Sequence, residues 1–416
     1  MPTPKAEPAP SPTARPGAPA AVRRVAVLGS AGSIGTQTLA VLDHLNALHA
    51  RGEHPTRYEV VALATGSNAA TLAAQSRQWP GAALAVASPA ADLPDGARTG
   101  PGSPADLVRD TAPDLVVSAI VGVAGLPPTL AALELGADVA LANKESLVAA
   151  GDLVVRTAHR TGARLLPIDS EHAAIWQALH RADRTAVCPP CTASPAVARV
   201  TLTASGGAFR DTPADQLAHV TPEQALAHPT WDMGDKITID CATLINKALE
   251  LIEARWLFGL GNDRLGVVVH RESVVHSLVA YRDGNVLAQL GTNDMRIAIQ
   301  HAITFPARAL SPAEPLCLSA LGSLTFEEPD LARFPGLALA TRVIDAGANA
   351  GAVLNGANEA AVGAFLAGRI PFPRIAELCA HALDDTPAHN IDTLEDALRA
   401  DAAARAAVEH RIAGDA

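Results

Sequence analysis

The chain has 416 residues, of which 49% are hydrophobic and 18% charged, a composition typical of a globular protein with two or three domains. Its net charge of −11 argues against nucleic acid as a partner, because phosphate backbones are bound by basic surfaces. The five cysteines are few and odd in number, which indicates a reducing, cytoplasmic environment rather than a disulfide framework.

The first predicted elements follow a tail of proline, alanine and small polar residues at 1–22, which is expected to be disordered. Apolar segments with strand character then alternate with helical patterns, the first of which covers residues 34–48. The strand candidates are residues 23–28, 58–64, 115–118 and 138–141. This alternation predicts a parallel sheet covered on both faces, that is, a Rossmann-like α/β domain over residues 23–168.

Residues 115–133 carry no charge and are nearly long enough to cross a bilayer. They contain Pro127 and Pro128, and another strand-like segment follows them. We therefore predict a buried strand, a loop and a short helix, and no contact with a membrane.

The middle of the chain has a different pattern. A strong helix is predicted over residues 243–258, and Asp283-Gly284 is a hairpin signal between two strands. The strand candidates are residues 197–203, 265–269, 274–281 and 286–290. We predict an α+β domain with a mixed or antiparallel sheet over residues 169–306, a proline-containing linker over 307–336 and a C-terminal helical bundle over 337–416.

The first predicted strand runs into the segment GSAGSIG at residues 29–35, which opens a helix. Glycines allow a backbone to approach a pyrophosphate, and a helix N-terminus offers N–H groups to it. The spacing is GxxGxxG rather than GxGxxG, so an ordinary glycine-rich turn is the alternative. The second strand ends at Thr65-Gly66-Ser67-Asn68 without the acid that NAD binding usually needs, which favours NADPH.

Two segments offer carboxylates. In LLPIDSEH, Asp169 and Glu171 are two residues apart, and in an extended chain they point the same way, as ligands of Mg²⁺ or Mn²⁺ would. The alternative is a helix cap followed by a first-turn glutamate. In NKALE, Asn246, Lys247 and Glu250 share one helix face, and the alternative is a solvated stripe that Thr243 and Glu253 extend.

Three further segments are ambiguous in isolation. The ANKES segment at residues 142–146 follows a strand and is either a ligand loop or a helix cap. The SGG segment at 205–207 suits an anion, and residues 228–234 have the composition of a mobile lid. Cys188 and Cys191 lack further zinc ligands at suitable spacing, so we predict a surface loop there.

Taken together, GSAGSIG, ANKESL, PIDSEH, SGGAFR, HPTWDMG and NKALELIEARWLF resemble, in order and approximate spacing, the 1-deoxy-D-xylulose 5-phosphate reductoisomerase family. The resemblance runs from about residue 23 to the C-terminus. It implies an NADPH domain, a catalytic domain that also dimerises, and a helical C-terminal domain. It also implies the NADPH- and metal-dependent conversion of a small phosphorylated substrate, 1-deoxy-D-xylulose 5-phosphate, to 2-C-methyl-D-erythritol 4-phosphate in isoprenoid biosynthesis.

The resemblance also implies roles for individual residues. The metal ligands would be Asp169, Glu171 and Glu250, which form the catalytic group together with Lys144. The substrate would be bound by Lys144, Ser170, Ser205, His228, Trp231, Cys241, Asn246, Lys247 and Glu250. The NADPH site would comprise Gly29, Ser30, Ala31, Gly32, Ser33, Ile34, Gly66, Ser67, Asn68, Asn143, Glu145 and Gly234.

Two residues depart from the family pattern: Ser67 stands where the family often has lysine, and Cys241 where it usually has a phosphate-binding serine. Two other functions are compatible with the sequence. One is an NADP-dependent dehydrogenase of another phosphorylated hydroxy-ketone, and the other is a catalytically inactive regulator that senses NADPH.

Overall fold

The computed structural model describes residues 22–88, 93–182, 188–231 and 233–415. The N-terminal region alternates strands and helices as predicted. Its strands are β1 (Val22–Leu28), β2 (Arg57–Thr65), β3 (Ala83–Val86), β4 (Arg98–Thr99), β5 (Leu115–Ser118), β6 (Asp138–Leu141) and β7 (Leu165–Pro167). Its helices are α1 (Ser33–Ala50), α2 (Ala69–Gln78), α3 (Ser103–Thr111), α4 (Leu126–Glu134) and α5 (Lys144–Thr161). The predicted tail, except Val22, lies outside the described residues.

Within the described residues these strands form one parallel sheet of order β4-β3-β2-β1-β5-β6-β7. The strand order reverses between β1 and β5, and open α/β sheets bind ligands beyond the carboxyl ends of the strands at such a point. Strand β5 is buried throughout, because helices cover both faces of the sheet, and this explains its apolar sequence.

The uncharged segment at residues 115–133 contains β5, a short 3₁₀ turn and α4, so the prediction of a strand, a loop and a helix is confirmed. In the part of the chain that the structure describes, no helix combines the length and the apolar character needed to cross a bilayer.

The middle region holds a second sheet of order β11-β10-β8-β9, in which β8 and β9 are parallel and the other pairs antiparallel. The mixed sheet is therefore confirmed. Its strands are β8 (Val197–Ala204), β9 (Leu265–Val269), β10 (Val275–Tyr281) and β11 (Val286–Leu290). The helices of this region are α6 (Ser170–Ala182), α7 (Pro222–Leu226), α8 (Asp235–Ala242), α9 (Ile245–Phe258) and α10 (Met295–Thr304).

The predicted helix over residues 243–258 is wrong at its start. Leu244 adopts a left-handed conformation with φ of 59°, which interrupts the chain between α8 and α9. Thr243 belongs to the end of α8, where its hydroxyl donates to the carbonyls of Ile239 and Asp240. Cys241 therefore lies in the last turn of α8 rather than ahead of a helix.

The C-terminal region is helical, as predicted. After the four-residue α11 (Leu318–Leu321) come α12 (Leu339–Ala346), α13 (Ala350–Leu366), α14 (Arg374–Asp385) and α15 (Leu394–Asp415). Helix α13 packs closely against the rest: a Cβ on Gly351 would lie 1.9 Å from the Val148 carbonyl oxygen of α5. A Cβ on Gly356 would lie 2.1 Å from the Asp401 carbonyl oxygen of α15, so both glycines permit helix contacts that a larger residue prevents.

Candidate active site

A cavity of about 720 Å³ opens between the two sheets, at the carboxyl ends of the parallel strands. It brings together most of the candidate site residues. Those that line it are Gly32, Ser33, Ile34, Asn143, Lys144, Glu145, Asp169, Ser170, Glu171, Ser205, His228, Trp231, Gly234, Cys241, Asn246, Lys247 and Glu250. Gly29, Ser30, Ala31, Gly66, Ser67 and Asn68 are not among the lining residues.

The loop after β1 forms one end of the cavity. The backbone N–H groups of Gly29 and Ser30 both donate to the Ala64 carbonyl at 2.8 Å, so they hold the loop to β2. A Cβ on Gly35 would lie 2.2 Å from the Gly29 carbonyl oxygen, so glycine is required where α1 approaches the loop. The part of the loop that faces the cavity is thus Gly32, Ser33 and Ile34, at the start of α1.

Residues 66–68 follow β2 at the same edge of the sheet. All three are exposed, and the Asn68 side chain accepts from the Thr71 N–H to cap α2. Ser67 offers a hydroxyl rather than a positive charge to an approaching ligand.

Asn143 and Glu145 begin α5 and are buried. The Asn143 side chain caps the helix at the Ser146 N–H and donates to the carbonyls of Ile120 and Gly122. Glu145 pairs with Lys236 of α8 at 3.1 Å. The helix cap predicted as one alternative is therefore present, and Asn143 and Glu145 also line the cavity.

Three carboxylates meet at the other end of the cavity. One oxygen each from Asp169, Glu171 and Glu250 lies within 4.8 Å of the other two. Asp169 follows β7, whereas Glu171 lies in the first turn of α6, so they do not share an extended segment as the sequence suggested. Glu250 on α9 is buried, as is Glu253, which excludes a solvated stripe on that helix.

Two buried lysines neutralise part of this charge. Lys144 Nζ lies 2.7 Å from Asn246 Oδ1 and 3.4 Å from Asp169 Oδ2, and Lys247 Nζ lies 2.5 Å from both Glu171 and Glu250. Burial opposes the charge on each lysine, but the carboxylates outweigh it and raise both pKa values above the usual lysine value. Neither lysine is therefore a base at neutral pH, and both are permanent donors.

The carboxylates differ in their protonation. Burial and the nearby Glu171 raise the pKa of Glu250 to about 7. At Asp169 burial acts in the same direction, but Lys144 and His172 outweigh it and hold its pKa well below the usual range. The raised pKa of Glu250 reflects the crowding of three carboxylates, and a divalent cation beside them would favour its ionised form. Oxygen ligands of this kind suit the hard ions Mg²⁺ and Mn²⁺.

His172 lies behind Asp169. Its Nε2 is 2.9 Å from the Glu250 carbonyl oxygen, and because a carbonyl only accepts, this nitrogen carries a hydrogen. Its Nδ1 faces Asp169 at 3.3 Å and Glu253 at 3.7 Å. Burial disfavours the imidazolium, but Glu253 and Asp169 raise the His172 pKa to about 9, so a proton is held behind the Asp169 carboxylate.

The segment at residues 205–207 and the predicted lid meet in the wall of the cavity, where Ser205 contacts His228. His228 Nδ1 accepts from the N–H groups of Thr230 and Trp231, so its Nε2 carries the hydrogen and donates to Ser205 Oγ at 2.9 Å. Gly207 has φ of 70°, and a Cβ there would lie 2.5 Å from the Cys241 carbonyl oxygen. This turn therefore packs directly on the end of α8.

Cys241 is half-buried and lines the cavity. Burial raises the pKa of its thiol to about 12, so it stays protonated and offers an S–H donor. Cys188 and Cys191 are also half-buried and pack against the core. The backbone of the segment is held to the end of α9, where the Cys191 N–H donates to the Leu257 carbonyl. The segment is therefore less exposed than the predicted surface loop.

Sequence reasoning missed several lining residues. Lys236 and Asp240, which pair at 2.7 Å, belong to α8, a helix that was not predicted. His276 and Arg296 come from β10 and α10. No local motif marks His276 or Arg296, because they reach the cavity only through the packing of β10 and α10.

Three family models match the chain. Residues 25–151 match 1-deoxy-D-xylulose 5-phosphate reductoisomerase, residues 165–258 match its C-terminal domain, and residues 290–407 match the model described as DXP reductoisomerase C-terminal domain. Curated reductoisomerases of that name agree. The protein of Anaeromyxobacter dehalogenans is 47% identical over 94% of this chain and 97% of its own length. That of Symbiobacterium thermophilum is 48% identical over 86% and 91%.

Solved structures show the same likeness. A DOX-P reductoisomerase crystallised with NADPH, fosmidomycin and magnesium has a TM-score of 0.84 and 41% identity, over 94% of this chain and 98% of its own. The 1-deoxy-D-xylulose 5-phosphate reductoisomerase of Zymomonas mobilis in complex with NADPH has a TM-score of 0.82 and 38% identity, over 94% and 99%.

Proposed function

The chain belongs to the 1-deoxy-D-xylulose 5-phosphate reductoisomerase family, and we propose that its cavity carries out this family's reaction. The enzyme isomerises 1-deoxy-D-xylulose 5-phosphate and reduces the product to 2-C-methyl-D-erythritol 4-phosphate, using NADPH and a divalent metal. This proposal rests on one observation: three carboxylates and two lysines face the same cavity as the glycine-rich loop.

Asp169, Glu171 and Glu250 would hold Mg²⁺ or Mn²⁺, since they supply the oxygen ligands that these ions prefer. When bound, the metal polarises a substrate carbonyl as a Lewis acid. Lys144 remains charged, so it donates to substrate oxygens and stabilises the negative charge that develops on them. Ser170, whose hydroxyl donates to Glu171, is a further contact for these oxygens.

Ser205, His228, Asn246 and Lys247 would bind the substrate phosphate, and Cys241 would add a weak S–H donor. Lys247 supplies the positive charge, and neutral His228 supplies an N–H group. Trp231 would cover the carbon chain between this phosphate and the metal. Closure of residues 228–234 would then exclude water and use phosphate binding energy to orient the reacting carbons.

Bound NADPH supplies the hydride for the reduction. Gly32, Ser33 and Ile34 at the start of α1 would bind its pyrophosphate, and Asn143, Glu145 and Gly234 would line the same region. Gly29, Ser30 and Ala31 would shape the loop, and Gly66, Ser67 and Asn68 would lie beside the ribose phosphate. Position 67 is serine where the family often has lysine, so hydroxyl and amide groups alone would bind the 2′-phosphate there.

A homodimer formed through the middle region, residues 169–306, is part of this proposal. Strand β11 lies at the edge of its sheet and pairs only with β10 among the residues that the structure describes. Its Val286 and Leu287 are exposed, and an apolar edge strand is a ready pairing surface for a second copy.

We also propose that the domains divide at residues 168, 306 and 336. The cysteine content suggests a cytoplasmic location, which belongs to the same proposal.

The test is an assay of NADPH oxidation with 1-deoxy-D-xylulose 5-phosphate and Mg²⁺, with the product identified by NMR. We expect a branched product and no turnover when the metal is chelated. An unbranched alcohol would identify a simple dehydrogenase instead, and NADPH binding without turnover would identify a regulator. The double variant Lys144→Met with Glu250→Gln is the negative control for contaminating activity.

A further inference from the structure

Helix α13 presents three polar side chains to the rest of the molecule: Asn355, Asn358 and Glu359. Both asparagines are completely buried. Asn355 Nδ2 donates to Asp401 of α15 at 2.6 Å and to Glu359 Oε1 at 2.9 Å. Arg405 of α15 donates to Glu359 Oε2 at 3.0 Å and to Asp401 at 3.0 Å. The Glu359 carboxylate is therefore held in place by the C-terminal helices.

Glu359 reaches the loop that follows β5. Its Oε1 accepts from the Val123 N–H at 3.3 Å, and a Cβ on Gly122 would lie 2.8 Å from the same oxygen. Gly122 has φ of 76°, a conformation that glycine adopts readily. The preceding residues, Ala119 to Val121, line the cavity beside the glycine-rich loop. The backbone of this loop thus lies between the carboxylate and the cavity.

The other side of the same loop is held by a second chain of contacts from α13. Asn358 donates to Asp240 of α8 at 2.7 Å, and Asp240 pairs with Lys236, which also pairs with Glu145. Asn143 donates to Glu145 at 2.8 Å and to the carbonyls of Ile120 and Gly122. The carbonyls of the loop are therefore fixed by α5, and the Val123 N–H is fixed by α13.

We propose that Glu359 is a positioning residue for the dinucleotide: it fixes the loop at residues 119–123 in the conformation that receives NADPH. The inference rests on the proposed function, which assigns this end of the cavity to the cofactor. It gives the C-terminal helices a role in binding, because Asn355 and Arg405 orient the carboxylate that holds the loop. A loop ordered before binding loses less conformational entropy when the ligand arrives.

The experiment compares Glu359→Ala with Glu409→Ala. Glu409 is a matched control, since it pairs with Arg369 in the same helical region but is exposed and far along α15. NADPH binding is measured by fluorescence titration and metal binding by electron paramagnetic resonance of Mn²⁺. We expect Glu359→Ala to weaken NADPH binding about tenfold, as loss of a charged hydrogen-bond acceptor does, with Mn²⁺ binding changed less than about twofold. Glu409→Ala should leave both unchanged.

A readout that does not depend on the ligand separates this inference from the proposed function. Hydrogen exchange of the Val123 amide in the ligand-free protein should accelerate about tenfold or more in Glu359→Ala. Unchanged exchange, or equal losses of NADPH and Mn²⁺ binding, would overturn the inference. If exchange accelerates but the wild type binds no NADPH, the proposed function fails instead. Glu359→Gln keeps the side-chain volume and one acceptor oxygen, so it provides a folded variant with an intermediate effect.

Discussion

At its dinucleotide end the cavity is walled by backbone and small residues of the loop after β1, whereas at its metal end it is walled by buried charged side chains from α5, α6 and α9. The first end depends on small residues, because a larger side chain at a position such as Gly35 would clash with the loop backbone. The second depends on charge, as between Lys247 and Glu250. The two ends should therefore fail under different substitutions.

The largest effect is expected at the metal end. Glu171→Gln removes one of three anionic ligands with little change in volume. Metal affinity should fall by more than the roughly 10- to 100-fold that loss of an outer-shell partner costs, and turnover should fall with it. NADPH binding, measured by fluorescence, should be retained. Wild-type turnover at saturating Mn²⁺ would show that Glu171 is not a ligand.

Gly35→Ala should produce the opposite pattern. The added Cβ would lie 2.2 Å from the Gly29 carbonyl oxygen, so the loop must move. Overpacking of this kind costs about 1–3 kcal/mol, and we expect NADPH affinity to fall about tenfold while Mn²⁺ affinity stays the same. Gly363→Ala is the control, because a Cβ there meets no atom within 4 Å. Parallel losses of both ligands would mean that the two ends are not independent.

A third substitution tests how far the charged end extends behind the ligands. Burial raises the pKa of Glu253 to about 8, and its carboxyl group lies 3.7 Å from the Nδ1 atom of His172. Glu253→Gln removes a carboxyl group that shares a proton with His172, which in turn faces Asp169. Mn²⁺ affinity should fall about tenfold, less than in Glu171→Gln. An unchanged affinity in calorimetric titration would confine the metal site to its three ligands.

Ser67→Lys adds a charge to the backbone-built end. A charge-assisted hydrogen bond is roughly twice as strong as a neutral one, so the preference for NADPH over NADH should rise several-fold. The measurement is the ratio of kcat/KM values for the two cofactors. If the ratio does not change, Ser67 does not contact the 2′-phosphate.

The smallest effect concerns pH. Burial and the nearby Arg210 lower the pKa of His228 to about 4, while the unfolded chain binds the same proton near pH 6.5. Because protonation favours the unfolded state, stability from this group is complete above pH 6.5 and declines as the pH falls towards 4. The free energy of unfolding of wild type should therefore decline slightly more than that of His228→Gln over this window. If the free energy of unfolding declines equally in both proteins, His228 is exposed to solvent and not buried in the fold.

Local patterns predicted the strands and the glycine-rich loop well, because apolar periodicity and glycine spacing act over a few residues. Strand β5 was predicted at the residues where it occurs. The break at Leu244 could not be predicted, since a left-handed leucine has no sequence signal and depends on tertiary packing. The metal group required residues 169, 171 and 250 to converge, which only the family resemblance implied. Glu359 was missed because its partner Val123 lies far away along the chain, and Lys236 because no helix was predicted around it.

The contact between Glu359 and Val123 spans 236 positions, and that between Lys144 and Glu250 spans 106. At a synthesis rate of roughly 5–20 residues per second, Glu250 is therefore made about 5–20 s after Lys144. The N-terminal sheet leaves the ribosome with its ligand loops unsupported, and Arg405 is made 46 positions after the Glu359 carboxylate that it holds. Neither end of the cavity is complete on a nascent chain, so a truncated translation product has the sheet of the enzyme without its binding site.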